Sequence, residues 1–292
     1  MNENIPVPLD ETNNDEAVAS PEPTDVKIKP YSLRYRVLGF DSISLNDIQN
    51  ISLMDRIDTK FIFTRQLLQQ IFHQLTDFYN ILEIKDNRIF TYQNVYWDTP
   101  GFSFYHNHHN GKLNRYKVRY RRYKETSTTF LEVKFKTNKK RTIKERISVR
   151  GLHKKMPGSD HSFLKKRLPE EFHHLQPSLI GIYKRITFAS KTSNERVTID
   201  FDARFQNPSS GEKVHLKSLI IAEVKQPKAL TSSRFLDIMK HYRLQPTSFS
   251  KYCIGCCMTA TDHIKTNRFK MKLRGLNLIE RRNDRNGTNN TH

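Results

Sequence analysis

The residues with the most chemical promise alternate along short extended segments. Lys117, Arg119 and Arg121 stand two apart, as do Glu132, Lys134 and Lys136, Lys144 and Arg146, Tyr183 and Arg185, and Glu223 and Lys225, while Arg196 and Asp200 stand four apart. On a strand, residues two apart share a face. Each segment therefore shows charge on one side and mostly Val, Leu, Ile, Phe or Tyr on the other. Dense cations on one face repel one another unless a polyanion neutralises them. Within this basic field Glu-x-Lys recurs, at Glu132/Lys134 and Glu223/Lys225. Isolated carboxylates among cations are what a divalent metal bridging to phosphate requires. The plainer alternative is a one-sided antiparallel sheet whose charged face is simply wet.

The elements that carry these residues follow from the same period of two. Strands are expected over 54–63 and 88–98 and at the six alternating segments, eight in all. Helices are expected over 46–51, 65–75, 102–108, 230–241 and 249–259, so the class is α+β with a mainly antiparallel sheet. If such a sheet closes, about eight strands enclose room for side chains and one small or threadlike ligand. The charged face becomes the lumen, and the apolar faces point outward under helices.

Composition agrees with a polyanionic ligand. The 292 residues carry 50 Lys and Arg against 30 Asp and Glu, a net charge of +20. That surplus points to nucleic acid, an anionic membrane surface or a phosphate-rich small molecule. A nucleic-acid module interleaves aromatics with its bases on one open face. Phe130, Phe135, Phe188 and Phe201 are read instead as sharing the apolar parity, which favours phosphate without bases. No stretch of ~20 apolar residues and no charged-then-apolar leader is evident. Cys253, Cys256 and Cys257 cannot build a disulfide framework, so a reducing, cytoplasmic compartment is expected.

Several blocks resemble the triphosphate tunnel metalloenzymes, most closely the polyphosphate polymerase domain of the vacuolar transporter chaperone (VTC) group. They are Leu53-Met-Asp-Arg-Ile-Asp-Thr-Lys-Phe61, Tyr96-Trp-Asp-Thr-Pro100, Gly111 to Arg119, Phe130 to Phe135 and Thr142 to Arg146. Tyr183 to Arg185, Arg196 to Asp200, Ala222 to Lys225 and Ser248 to Tyr252 follow in the same order. The resemblance spans about residues 32–258. It implies an eight-stranded antiparallel β-barrel, the triphosphate tunnel, with helices packed outside and Mn²⁺ or Mg²⁺ as cofactor. It implies catalytic roles for Lys60, Lys117, Arg119, Lys134, Lys144, Arg185, Arg196 and Lys251. Substrate contacts are expected from Tyr183, Ser250, Arg56, Arg146 and Lys225, and metal contacts from Glu223 and Glu132.

The hydrolase and cyclase branches open with Glu-x-Glu-x-Lys, whereas this chain reads Arg56-Ile-Asp58-Thr-Lys60. Arg at the first position removes a metal ligand and adds a phosphate ligand, which is similar to the polymerase branch. The expected activity is transfer of the ATP γ-phosphate to a growing polyphosphate chain. A tri- or polyphosphate hydrolase and a non-catalytic polyphosphate or inositol-phosphate sensor are the alternatives. No nucleic-acid partner is expected. Coupling to export would need a separate membrane subunit and would place the chain at the inner face of a membrane.

The ends and minor motifs read more plainly. Residues 1–30 are expected to be a disordered acidic arm, with seven acids and one base in residues 1–27. Residues 31–262 are taken as the tunnel domain and 263–292 as a frayed basic tail. Cys253-Ile-Gly-Cys256 lacks a second ligand pair at zinc spacing, so buried helix cysteines are expected. His106, His108 and His109 read as a solvated helix end, Lys139 to Arg141 as a wet hairpin tip, and Asp98 or Thr99 as the cap of the following helix.

Overall fold

The computed structural model describes residues 32–50, 56–139, 141–153, 155–230, 232–260 and 264–287; the acidic arm of residues 1–30 and the tip residue Lys140 lie outside them. Eleven strands form one sheet. They are β1 (Ser42–Ile43), β2 (Arg56–Thr64), β3 (Tyr79–Leu82), β4 (Phe90–Asp98), β5 (Arg115–Tyr123), β6 (Thr128–Lys136), β7 (Thr142–Val149), β8 (Gln176–Ser190), β9 (Arg196–Gln206), β10 (Lys213–Leu216) and β11 (Leu219–Pro227). The main path runs β2-β11-β9-β8-β4-β5-β6-β7, and every neighbouring pair on it is antiparallel. These eight are the strands that alternation predicts. The short β1, β3 and β10 lie off the path, beside β3, β8 and β9 respectively.

The helices are α1 (Leu33–Arg36), α2 (Leu45–Asn50), α3 (Arg65–Leu75), α4 (Ser103–His109), α5 (Gly158–Lys165), α6 (Arg234–His241), α7 (Lys251–Thr259) and α8 (Lys270–Gly287). Polar caps start several of them. Thr64 Oγ1 accepts from Leu67 N at 3.3 Å to open α3, and Ser233 Oγ accepts from Leu236 N at 3.1 Å to open α6. In α3, Leu68, Ile71, Phe72 and Leu75 keep helical spacing and are buried. With Phe235, Ile238 and Met239 of α6 they cover Phe61, Phe63, Val197, Ile199, Ile220, Ala222 and Val224 on the convex face of the sheet. Farther along the path, Phe104 of α4 and Phe163 and Leu164 of α5 cover Val118, Tyr120, Leu131 and Val133. Burying each such side chain contributes ~1.5–3 kcal/mol, so the outward apolar parity pays for the curl.

The concave face is divided. Helix α7 packs against one end of it, where Gly255 faces Leu179 and Phe205, so close that a Cβ there would lie 2.5 Å from Leu179 Cδ2. The other end is charged. The curl is visible in the charges themselves: Lys117 on β5 feels Lys60 on β2, and Lys134 on β6 feels Lys225 and Glu223 on β11, although these strands are far apart along the path. Among the described residues β7 and β2 do not pair, so the tunnel keeps a seam along that side.

The basic C-terminal segment is not a frayed tail over its described length. Residues 270–287 form α8, whose Leu276 is fully buried. Its Glu280 carboxylate accepts from the backbone N–H groups of Lys217, Ser218 and Leu219 at 2.9 to 3.1 Å, fastening the helix to the turn before β11.

Candidate active site

The strand register arranges the inward side chains in rows. Lys117, Lys134 and Lys144 stand directly opposite one another on β5, β6 and β7. The next row is Arg119, Glu132 and Arg146. On the facing strands Lys60 is opposite Glu223, and Asp58 is opposite Lys225, which is opposite Arg196. Arg185 is opposite Asp200. Cross-strand partners lie ~5 Å apart at Cβ, and like charges there are destabilising.

Part of this charge is neutralised within the wall. Glu132 is buried between Arg119 Nη2 and Lys144 Nζ, each at 2.7 Å. Burial alone would raise its pKa, but Arg119, Arg121 and Lys144 pull it down to about 2. Asp200 is also buried; it takes Arg185 through two contacts of 2.5 and 2.8 Å and also receives Lys251 Nζ. Arg185 and Lys251 overcome the burial penalty and keep Asp200 ionised. Glu223 Oε1 lies 3.2 Å from Lys60 Nζ and 3.0 Å from Lys225 Nζ. Asp58 binds Arg56 at 2.9 Å and lies 3.6 Å from Lys225 Nζ.

The rest is not neutralised. Among the described residues no carboxylate pairs with Lys117, Lys134 or Arg196. Burial, followed by the cations around it, lowers the pKa of Lys117, although its Nζ donates to Ser250 Oγ at 3.1 Å. Lys134 remains open to water along the lumen, yet the enclosing walls, Lys117 and Lys225 push its pKa down to about 8. Burial, Arg56 and Arg185 lower that of Arg196. An anion laid among these cations relieves their mutual repulsion.

The start of α7 closes this end. Ser250 Oγ accepts from Cys253 N at 3.2 Å, so the cap residue that sets the helix also meets Lys117. Lys251 lies 4.4 Å from the centre of the Tyr183 ring, and the Tyr183 hydroxyl accepts from Arg121 Nη2 at 2.9 Å. Arg121 and Asp200 are expected from sequence on the charged face but without a catalytic, substrate or metal role, and the register row is the signal that would have found the part played by Asp200. Arg146 is exposed on β7, its guanidinium 4.5 Å from the centre of the Phe130 ring. Phe130 therefore lies on the charged face with Glu132 and Lys134, a correction to its assigned parity. Tyr92 and Tyr183 stack on the same side, 5.2 Å apart. Their rings are buried in that stack and do not form an open platform.

Asp58 and Glu223 approach one ammonium, so two hard carboxylates meet at a cation's place. This donor set fits Mn²⁺ or Mg²⁺, which take one or two carboxylates and complete the shell with water and substrate phosphates. Glu132 stands apart, engaged by Arg119 and Lys144. Among the described residues no three His, Cys, Asp or Glu side chains converge on one point.

The minor motifs resolve locally. Asp98 is buried and accepts from Phe104 N at 2.8 Å and Tyr105 N at 2.9 Å, while Thr99 Oγ1 accepts from Ser103 N at 2.9 Å, so both residues cap α4. The cysteines of α7 are free and buried. His109 is buried too, in contrast to the solvated end expected for that histidine run.

No curated protein matches the chain. Solved structures similar to it include an adenylate cyclase candidate from Vibrio parahaemolyticus, at 12% identity and TM-score 0.40, covering 68% of this chain and 96% of that one. Another is HpAC1 from Hippeastrum, titled an adenylyl cyclase candidate with a dominant triphosphatase activity, at 10% identity and TM-score 0.41, covering 70% of this chain and 97% of that one. A third is the PH1819 protein from Pyrococcus horikoshii, at 10% identity and TM-score 0.38, covering 68% of this chain and 95% of that one. The VTC domain model matches residues 55–260, most of the chain, and the chain belongs to that family.

Proposed function

We propose that the chain is a polyphosphate polymerase-like phosphotransferase that moves the ATP γ-phosphate onto a polyphosphate chain held in the tunnel. The observation that carries this reading is the lysine row. Lys117 and Lys134 stand side by side with no carboxylate partner among the described residues, beside Lys144, in a curled sheet that brings further cations across from them. A linear phosphate chain offers repeated anionic oxygens to such a row and needs no base-stacking surface.

Phosphoryl transfer asks little covalent chemistry of a protein; it asks that the phosphates be held in line and their developing charge be neutralised. In this reading a terminal phosphate oxygen of the growing chain attacks the γ-phosphorus, the bond from that phosphorus to the β-bridging oxygen breaks, and ADP leaves. Lys117, Lys134 and Arg196 bind the chain as cations that no carboxylate pairs among the described residues. Arg119, Lys144, Arg185 and Lys251 are set in place by Glu132 and Asp200 and can share their outer N–H groups with phosphate. Lys60, Arg56, Lys225, Arg146, Tyr183 and Ser250 complete the lining. Glu223, with Asp58, would hold a Mn²⁺ or Mg²⁺, which when bound supplies positive charge to phosphate oxygens.

The test is incubation of the purified chain with ATP and Mn²⁺, scoring ADP and long-chain polyphosphate. A polyphosphate ladder that disappears in Lys134→Ala supports a polymerase. Free phosphate without a ladder, from ATP or tripolyphosphate, moves the chain to the hydrolase reading.

A further inference from the structure

The cation track continues beyond the family domain. Lys272 belongs to α8, outside the residues 55–260 that match the family. Its Nζ donates to the backbone oxygen of Ser248 and lies 3.1 Å from Ser248 Oγ. Ser248 is two residues before Ser250, which meets Lys117. Lys272 therefore stands at the rim where the α7 cap joins the lysine row.

Other bases gather at the same rim. Arg115 begins β5, Lys136 ends β6, and the two are directly opposite each other. Burial, and then the charges of Lys117, Arg115, Lys136 and Lys272, hold the His108 imidazole of α4 neutral, with a pKa pushed down to about 3. Its buried Nδ1 finds no hydrogen-bond partner. Among the described residues no carboxylate pairs with Arg115, Lys136 or Lys272, whereas the arginines farther inside, Arg119 and Arg185, are each matched by an acid. Along β5, Arg115 to Arg121 spans ~20 Å at ~3.4 Å per residue, more than a triphosphate covers.

We propose that Lys272, Arg115 and Lys136 form an outer phosphate subsite that binds a linear polyphosphate beyond the phosphates gripped inside the tunnel. The inference rests on the polyphosphate reading above and adds chain length to it. A segment outside the family domain thus sets which phosphate lengths the tunnel prefers. Glu280 keeps α8 in place for this, by binding the turn before β11.

The experiment is metal-free titration calorimetry of the full chain with tripolyphosphate and with a linear polyphosphate of several tens of phosphates. It compares wild type, Lys272→Gln, Lys272→Met and Lys272→Arg. Gln keeps a donor for Ser248 without the charge, and covers the case in which the Met variant does not fold. A partly exposed charge-assisted contact to phosphate is worth about tenfold in affinity. The expected result is an about tenfold fall in the preference for the long chain over tripolyphosphate in the Gln and Met variants, restored by Arg. An unchanged preference, or equal losses for both ligands, overturns the outer subsite and leaves Lys272 as a structural tie. Failure of wild type to bind either ligand overturns the tunnel reading first, and the subsite with it.

Discussion

Filling the tunnel should take up protons, and Lys134 sets the amount. Its pKa is held at about 8 in the free protein against an ordinary value of 10.5. A phosphate chain laid along the lysine row removes the repulsion and returns the pKa towards that ordinary value. At pH 8 the free side chain is about half protonated and the bound one almost fully so, giving an uptake of up to about half a proton. At pH 6 the free group is already charged and its uptake is close to nil. The sign follows: binding is strongest below pH 8 and weakens as pH rises past 8, by about threefold per pH unit at pH 8 itself and by up to about sevenfold per unit between pH 9 and 10. Water along the lumen screens part of the effect, so a few tenths of a proton is the smallest result that fits. Metal-free calorimetry in buffers of different ionisation enthalpy reads the uptake directly. Lys134→Met should cut it by most of its value, and Lys134→Arg should do the same while keeping affinity. Equal uptake in wild type and Lys134→Met, or none in wild type at pH 8, would refute the electrostatic reasoning.

Further outcomes follow from the paired side of the tunnel. Glu223→Ala should abolish Mn²⁺-dependent turnover while metal-free polyphosphate affinity holds or rises, because Lys60 and Lys225 lose their acid; activity and calorimetry together check this. Asp200→Asn leaves Arg185 and Lys251 without their buried counter-ion and should cost ~3–5 kcal/mol of stability. Added polyphosphate should recover part of that loss in a thermal melt, since it can stand in for the missing carboxylate. Gly255→Ala places a Cβ 2.5 Å from Leu179 Cδ2 and 2.9 Å from Phe205 Cδ1, and should lower stability by ~1–3 kcal/mol. Glu280→Ala strands the N–H groups of Lys217, Ser218 and Leu219 and should loosen α8, seen as faster proteolysis within residues 264–287.

Much of this architecture was legible because the strands alternate cleanly. The segment Lys117 to Arg121 showed a charged and an apolar parity, and β5 carries both as read. What alternation cannot supply is register. That Lys117, Lys134 and Lys144 share a row while Glu132 falls between Arg119 and Arg146 depends on turn lengths and cross-strand pairing. Nothing local in the sequence states that Asp200 would face Arg185. Phe130 was misplaced because its parity was judged by residue type and not counted from Glu132. Helix α8 was read as a frayed tail because six bases mask a thin apolar stripe, Leu273, Leu276 and Ile279, which finds its partner in the hydrophobic cluster around α7. The short β1, β3 and β10 carry too few residues to show a period at all.

The seam between β2 and β7 has a mechanical consequence. Among the described residues no backbone ladder joins that side, so no hydrogen-bond row there fixes the girth of the tunnel. Lys134 and Lys225, on strands well separated along the path, repel each other across it. With no anion between them that repulsion, tempered by Glu223, bears outward on the side of the seam. On the function proposed above, a phosphate chain between them turns the push into a pull, so the girth is expected to follow occupancy, with the bound polymer acting as one stave of the barrel.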